Sequence, residues 1–370
     1  MPSPNAATVK YAVVGLGHIA QAAVLPAFAH ARRNSRLAAI VSGDRTKRRA
    51  LATRHGTVRA YSYEEYEECL RHVDAVYIAL PNDQHAEYTI RAARAGVHVL
   101  CEKPLAVTVQ ECKRMIDACA SHHVKLMVAY RLHFEEVNLG VIDLVRRGRI
   151  GDPRIFTSSF SMTVRRGDIR TKRATGGGTV YDLGVYCINA ARCLFRAEPV
   201  EVMALSVHGG GARLSEIDEA TGAVLRFDGD RVATFVTSFN ADDVASYHIV
   251  GTKGQVRVDP AYEYAEGLAY TLTTRSGRTV RKRLGKRDQF APELLHFSDC
   301  ILHDRAPEPS GSEGLQDVRI VQALYESART GRAVRMPHHH EARWPTARQR
   351  AAKPGIARPR LVKVQSASVD

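Results

Sequence analysis

Lys103, Asp182 and Tyr186 are of types that together can move a proton on or off an alcohol. Tyr186 is the candidate base, and in the reverse direction the same phenol returns the proton. A free tyrosine titrates near 10 and is a poor base at neutral pH. Moving it to pH 7 needs roughly 4 kcal/mol, at about 1.4 kcal/mol per unit. One cation about 4 Å away, at an effective dielectric of about 20, interacts by roughly that amount. Lys103 is the candidate cation. Asp182, near the start of its helix, is expected to stay ionised and to orient the substrate hydroxyl.

Each of these residues needs an element to hold it. Ala75–Leu80 reads as a buried strand broken by Pro81-Asn82, Tyr88–Ala95 as a helix stopped by Gly96, and Val97–Cys101 as the next strand. That strand delivers Glu102-Lys103-Pro104 at its carboxyl end, where open α/β sheets bind ligands. Asp182 and Tyr186 follow the run Gly176-Gly177-Gly178, expected to be flexible, on a helix from Thr179 to Phe195. Val180, Leu183, Cys187, Ala191 and Leu194 make its apolar stripe, at spacings of three or four. Asp182, Tyr186 and Asn189 fall at i, i+4 and i+7 on another face.

The N-terminus supplies a partner for this chemistry. Tyr11–Val14 is a short apolar strand that feeds Gly15-Leu16-Gly17-His18-Ile19-Ala20, and a helical pattern then runs through Ala31. In this G-x-G-x-x-A turn the first glycine permits the bend and the second lets a pyrophosphate approach the backbone. The second strand, Leu37–Val41, ends at Ser42 where an NAD site usually places an acid, and Arg45, Lys47, Arg48 and Arg49 follow. A hydroxyl and clustered cations suit a 2′-phosphate, so NADP is expected over NAD, with Asp44 as the residue that argues for NAD.

These blocks, together with Tyr130-Arg131-Leu132-His133-Phe134 and Gly314-Leu315-Gln316-Asp317-Val318-Arg319, resemble the glucose–fructose oxidoreductase / inositol dehydrogenase / MocA family, nearest its glucose–fructose branch. The resemblance runs from about Lys10 to Pro337. It implies hydride transfer between nicotinamide and a sugar or related polyol. Many relatives carry histidine where this chain has Tyr186. By the resemblance, Ser42 and Lys47 hold the 2′-phosphate. The dinucleotide contacts expected are Gly15, Gly17, His18, Ile19, Ser42, Lys47, Leu80, Pro81, Asn82, His85, Glu102, Lys103 and Arg131. Arg131 and His133 are also candidates to touch substrate, and Arg165, Arg166, Arg170, Lys172 and Arg173 lie in a polar loop that could meet an acidic or phosphorylated substrate or simply be solvated. The glucose–fructose branch has an export signal and a long N-terminal arm that helps clasp its cofactor. Here Met1–Val9 alone precedes the first strand, so a cytoplasmic enzyme with an exchanging cofactor is expected. A sugar–sugar oxidoreductase with tightly bound NADP is the alternative.

The fold expected is a doubly wound parallel sheet over residues 1–130, then an α+β domain with a large, mostly antiparallel sheet over 131–337. A helix from Pro292 to His303 is expected against that second sheet, and the resemblance implies a homodimer or homotetramer through its open face. Residues 338–370 carry seven Lys/Arg against two acids and are expected to be disordered. His338-His339-His340 is read as an incidental tract rather than a metal site. No apolar run approaches 18 residues, which excludes a membrane-spanning helix. The seven cysteines contain no C-x-x-C pair, which fits a reducing compartment. A net charge of +14 admits nucleic-acid binding, but no base-reading motif accompanies it. A cofactor-binding sensor without chemistry is the remaining alternative, which the trio Lys103, Asp182 and Tyr186 argues against.

Overall fold

The computed structural model describes residues 7–57, 59–209, 214–337 and 343–369. The His338–His340 triplet lies outside them. Short, mainly apolar runs make the first sheet, because parallel strands are covered on both faces. Its strands are β1 (Val9–Val14), β2 (Ser35–Val41), β3 (Arg59–Tyr61), β4 (Ala75–Ile78), β5 (His98–Glu102) and β6 (Leu126–Ala129). They lie in the order β3-β2-β1-β4-β5-β6, all parallel. The order reverses between β1 and β4, which opens a crevice at their carboxyl ends.

The second sheet has nine strands: β7 (Pro153–Thr163), β8 (Pro199–Val207), β9 (Ala220–Phe227), β10 (Arg231–Ser238), β11 (Asn240–Gly251), β12 (Gly254–Val258), β13 (Ala269–Thr274), β14 (Thr279–Arg283) and β15 (Val334–Arg335). They are ordered β14-β13-β12-β11-β7-β10-β9-β8-β15. All pairings are antiparallel except β7 with β10. The inner face buries Phe156, Phe227, Phe235 and Ile249 against the helix Val185–Phe195. Among the described residues no helix is long and apolar enough to cross a membrane.

Two expectations fail here. The helix Phe290–Leu302 packs against β1 and β2 of the first sheet, not against the second. Its Ser298 hydroxyl bonds Tyr11 at 2.8 Å and Ser35 at 2.7 Å, and Phe290, Leu294 and Phe297 join the core around β1. Its apolar stripe marks a face to bury but not which sheet covers it. The second failure is the C-terminal segment. Residues 343–369 hold little regular structure, yet they follow a defined path pinned by hydrogen bonds to both domains.

Candidate active site

The crevice above the switch point is a cleft of about 870 Å³ between the two domains. Gly15 sits at the end of β1 with φ of +92°, and a Cβ there would lie 2.5 Å from the Ala79 carbonyl oxygen. Only glycine lets β1 and β4 come this close while the chain turns. A Cβ on Gly17, by contrast, would meet nothing within 4 Å. That open space beside the start of a helix is what an approaching pyrophosphate needs. Gly15, Gly17, His18, Ile19, Ser42, Lys47, Leu80, Pro81, Asn82, Glu102, Lys103 and Arg131 all line the cleft. These residues fit a dinucleotide.

Asp44 is already committed. Its Oδ1 accepts from the Thr46 and Lys47 amides, at 2.8 and 3.0 Å, and so caps the helix Arg45–His55. Its Oδ2 lies 3.2 Å from Lys363 Nζ. The residue that argued for NAD is thus engaged on both oxygens. Tyr63, which the sequence reading passed over, lines the same end of the cleft against Gly43.

His85 does not line the cleft. Its ring is buried, with Nε2 at 2.9 Å from the Leu80 carbonyl and Nδ1 at 2.9 Å from that of Pro104. It ties the loops after β4 and β5 to one another. Burial holds its pKa below the ordinary histidine value, although both carbonyls pull the other way.

At the substrate end Lys103 reaches from β5 to the helix that starts at Val180. Its Nζ donates to Asp182 Oδ1 at 3.1 Å and to the Asp182 carbonyl at 3.0 Å. The same ammonium stands 4.6 Å from the centre of the Tyr186 ring. Asp182 Oδ2 accepts from Arg170 Nε at 2.7 Å. Burial alone would raise the Asp182 pKa, but the charges of Arg170 and then Lys103 outweigh it and hold the carboxyl well below its usual range. Lys103 is likewise pushed down by burial, yet Asp182 first, then Tyr186 and Glu102, carry its pKa above the ordinary lysine value.

Arg131 lines the cleft beside Tyr186. Its Nη2 lies 3.3 Å from the Tyr186 hydroxyl, and its guanidinium also holds the Gln289 side chain and the Tyr262 carbonyl. It therefore stands at the phenol. The Gly176–Gly178 run is packed rather than flexible. Asn82 Nδ2 donates to the Gly176 carbonyl at 2.9 Å, and a Cβ on Gly177 would lie 2.3 Å from the Arg170 carbonyl oxygen. This close packing brings the Arg170 loop to Asp182.

Asn189 and His133 lie away from the cleft. They bond each other at 2.8 Å, and Asn189 also bonds Asp317 while His133 bonds Glu308. Past Tyr186 the helix turns this face into the buried network around Arg192. The loss of phase has a local source: Val180–Gly184 is wound as a π turn before the regular helix begins at Val185.

The fold and this site define a family. Residues 9–130 match the model of the oxidoreductase family with an NAD-binding Rossmann fold, and residues 139–257 match the GFO/IDH/MocA C-terminal domain. The chain belongs to the GFO/IDH/MocA oxidoreductases. It is 31% identical to a D-xylose 1-dehydrogenase [NADP(+)] of Haloarcula marismortui, over 89% of this chain and 93% of that one. Among solved structures, an aldose-aldose oxidoreductase of Caulobacter crescentus, complexed with glycerol, matches at a TM-score of 0.85 and 37% identity, over 89% of this chain and 100% of that one. A 3-ketoreductase of Actinomadura kijaniata, in complex with NADP and TDP-benzene, matches at a TM-score of 0.78 and 26% identity, over 86% and 98%.

Proposed function

We propose that this chain is an NADP-dependent oxidoreductase acting on a CH–OH group of an aldose or related polyol, with Tyr186 as the acid/base. The contact of Lys103 and Arg131 with one phenol in a dinucleotide cleft carries the proposal. The xylose dehydrogenase and aldose-aldose oxidoreductase relatives support the sugar as substrate. When bound, the nicotinamide supplies the hydride acceptor or donor. The rest falls to the chain. Tyr186 takes the proton from the substrate hydroxyl at its phenol oxygen. Arg131, fixed by Gln289 and the Tyr262 carbonyl, stabilises negative charge on that oxygen. Lys103 adds positive potential over the ring face.

Asp182 has a different duty from the one its position on the helix suggests. With Lys103 on one oxygen and Arg170 on the other, it holds two cations in place and neutralises part of their charge. Positioning of the substrate hydroxyl then falls mainly to Lys103 and Tyr186. Ser42, Lys47 and the engaged Asp44 favour a 2′-phosphate over a bare ribose.

All seven cysteines are buried free thiols, which supports a reducing, cytoplasmic setting. The outer face of the second sheet supports self-association. Met203, Val224 and Thr234 lie side by side in register, and Leu205, Gly222 and Val236 form the next row. Leu205 is 72% exposed. No charge interrupts these rows, and an uncharged apolar sheet face is a liability in a lone chain. A second copy of this chain is the partner we infer.

The functional test is direct. Purified protein with NADP and a panel of aldoses should develop absorbance at the reduced-nicotinamide band for at least one sugar. A panel that leaves NADP and NAD unreduced, with no sugar carbonyl reduced by NADPH, removes the reading.

A further inference from the structure

We propose that residues 353–369 form one wall of the dinucleotide site, with Arg358 and Lys363 at its adenosine-phosphate end, and that this wall slows release of the cofactor. The proposal rests on the NADP reading above and extends it to residues that the family models, which end at 257, do not reach.

The path of the segment supports it. The Lys353 carbonyl accepts from the Asp288 amide at 3.2 Å, and Pro354 bridges Arg287. Ile356 and Val362 pack on the core around β1. Val362 then pairs with Gln21 on the first helix of the nucleotide domain. Its amide donates to Gln21 Oε1 at 2.8 Å, and its carbonyl accepts from Gln21 Nε2 at 3.1 Å. Gln21 is 1% exposed, and its Nε2 also holds the Leu16 carbonyl inside the glycine turn, at 2.9 Å. One buried amide therefore joins the segment to the turn that would cradle the pyrophosphate. The segment finally crosses to the second domain. The Arg165 amide donates to the Ala367 carbonyl at 2.8 Å, and the Val369 amide donates to the Thr163 carbonyl at 2.9 Å.

Between these anchors Ile356, Arg358, Pro359, Leu361 and the stretch 365–368 line the same cleft as Gly17, Ser42 and Lys47. Lys363 reaches Asp44, and Arg54 on the helix after β2 donates to the Arg360 carbonyl. The segment thus passes over the end of the site where Ser42 and Lys47 stand. Among the described residues Arg358 has no carboxylate within ion-pairing distance, so its charge is available to a phosphate. A ligand lying beneath a segment fixed to both domains leaves only when those bonds open.

The test compares the full chain with a chain ending at residue 352 and with the full-length double variant Arg358→Glu/Lys363→Glu. Dissociation of NADPH is followed by its fluorescence during displacement with excess NADP, and affinities for NADP and NAD are measured separately. We expect the shortened chain to release NADPH at least about tenfold faster. The double variant should lose about tenfold in NADP affinity, a change of about 1.4 kcal/mol, with NAD affinity little changed. The double variant guards against a shortened chain that fails to fold. Release and affinity equal to those of the full chain in both variants would overturn the proposal while leaving the NADP reading intact. A full chain that binds neither dinucleotide would overturn both.

Discussion

Lys103 and Tyr186, which come from different domains, meet face-on: the ammonium lies 4.6 Å from the centre of the phenol ring rather than against its oxygen. The hydroxyl is left to Arg131, at 3.3 Å. Two cations therefore act on one phenol from different directions. Asp182 anchors the first, and the Tyr262 carbonyl and Gln289 anchor the second.

From this geometry, Lys103→Met is expected to lower kcat by about 10² or more, within the range of a lost acid–base partner. Its cost to NADP affinity should be far smaller, because the glycine turn and Ser42 are untouched. Steady-state kinetics beside a direct binding titration separates the two. Near-normal turnover would remove Lys103 from the mechanism.

Tyr186→Phe keeps the ring that Lys103 and Arg131 cover and removes only the oxygen. We expect kcat to fall by roughly 10²–10⁴, with the folded structure and dinucleotide binding retained. Full activity in this variant would assign proton transfer to water or to Asp182.

Much of this site could be read from strand ends and helix stripes. Lys103 is placed by the strand that delivers it, and Asp182 and Tyr186 by their i, i+4 spacing on one helix, although Asn189, read on the same face, turns into the buried network instead. What the sequence left out are contacts with no local signature. Arg170 reaches Asp182 only because close packing at Gly177 brings its loop there. Gln289 and the Tyr262 carbonyl fix Arg131 from more than a hundred residues away. The C-terminal segment misled for another reason. Its few apolar residues suggest disorder, but it is held by backbone groups paired with Gln21, Arg165 and Asp288, and composition does not register such bonds.

The registered rows on the second sheet predict the oligomer. Leu205→Glu should convert the assembly to a monomer in sedimentation velocity, since it puts a charge at the middle of an apolar contact. Because Leu205 is 72% exposed in the single chain, the monomer itself should keep its Tm almost unchanged. A wild-type protein that sediments as a monomer would dismiss the interface.

Glu293 offers a stability test that is independent of catalysis. It is wholly buried on the helix Phe290–Leu302, and among the described residues neither carboxyl oxygen has a hydrogen-bond partner. Burial first, and then the nearby Glu102, push its pKa well above the ordinary carboxylate value. The folded chain therefore keeps this proton at pH values where the unfolded chain has lost it. A group of this kind contributes most stability below its unfolded pKa, about 4.3. It loses that contribution as the pH rises toward its folded pKa, by at most about 1.4 kcal/mol per unit. Glu293→Gln keeps the shape and cannot ionise. Its stability relative to wild type, measured by urea unfolding, should therefore rise between pH 5 and pH 8. A difference that stays flat over that interval would mean that Glu293 is ionised and paired in the native protein.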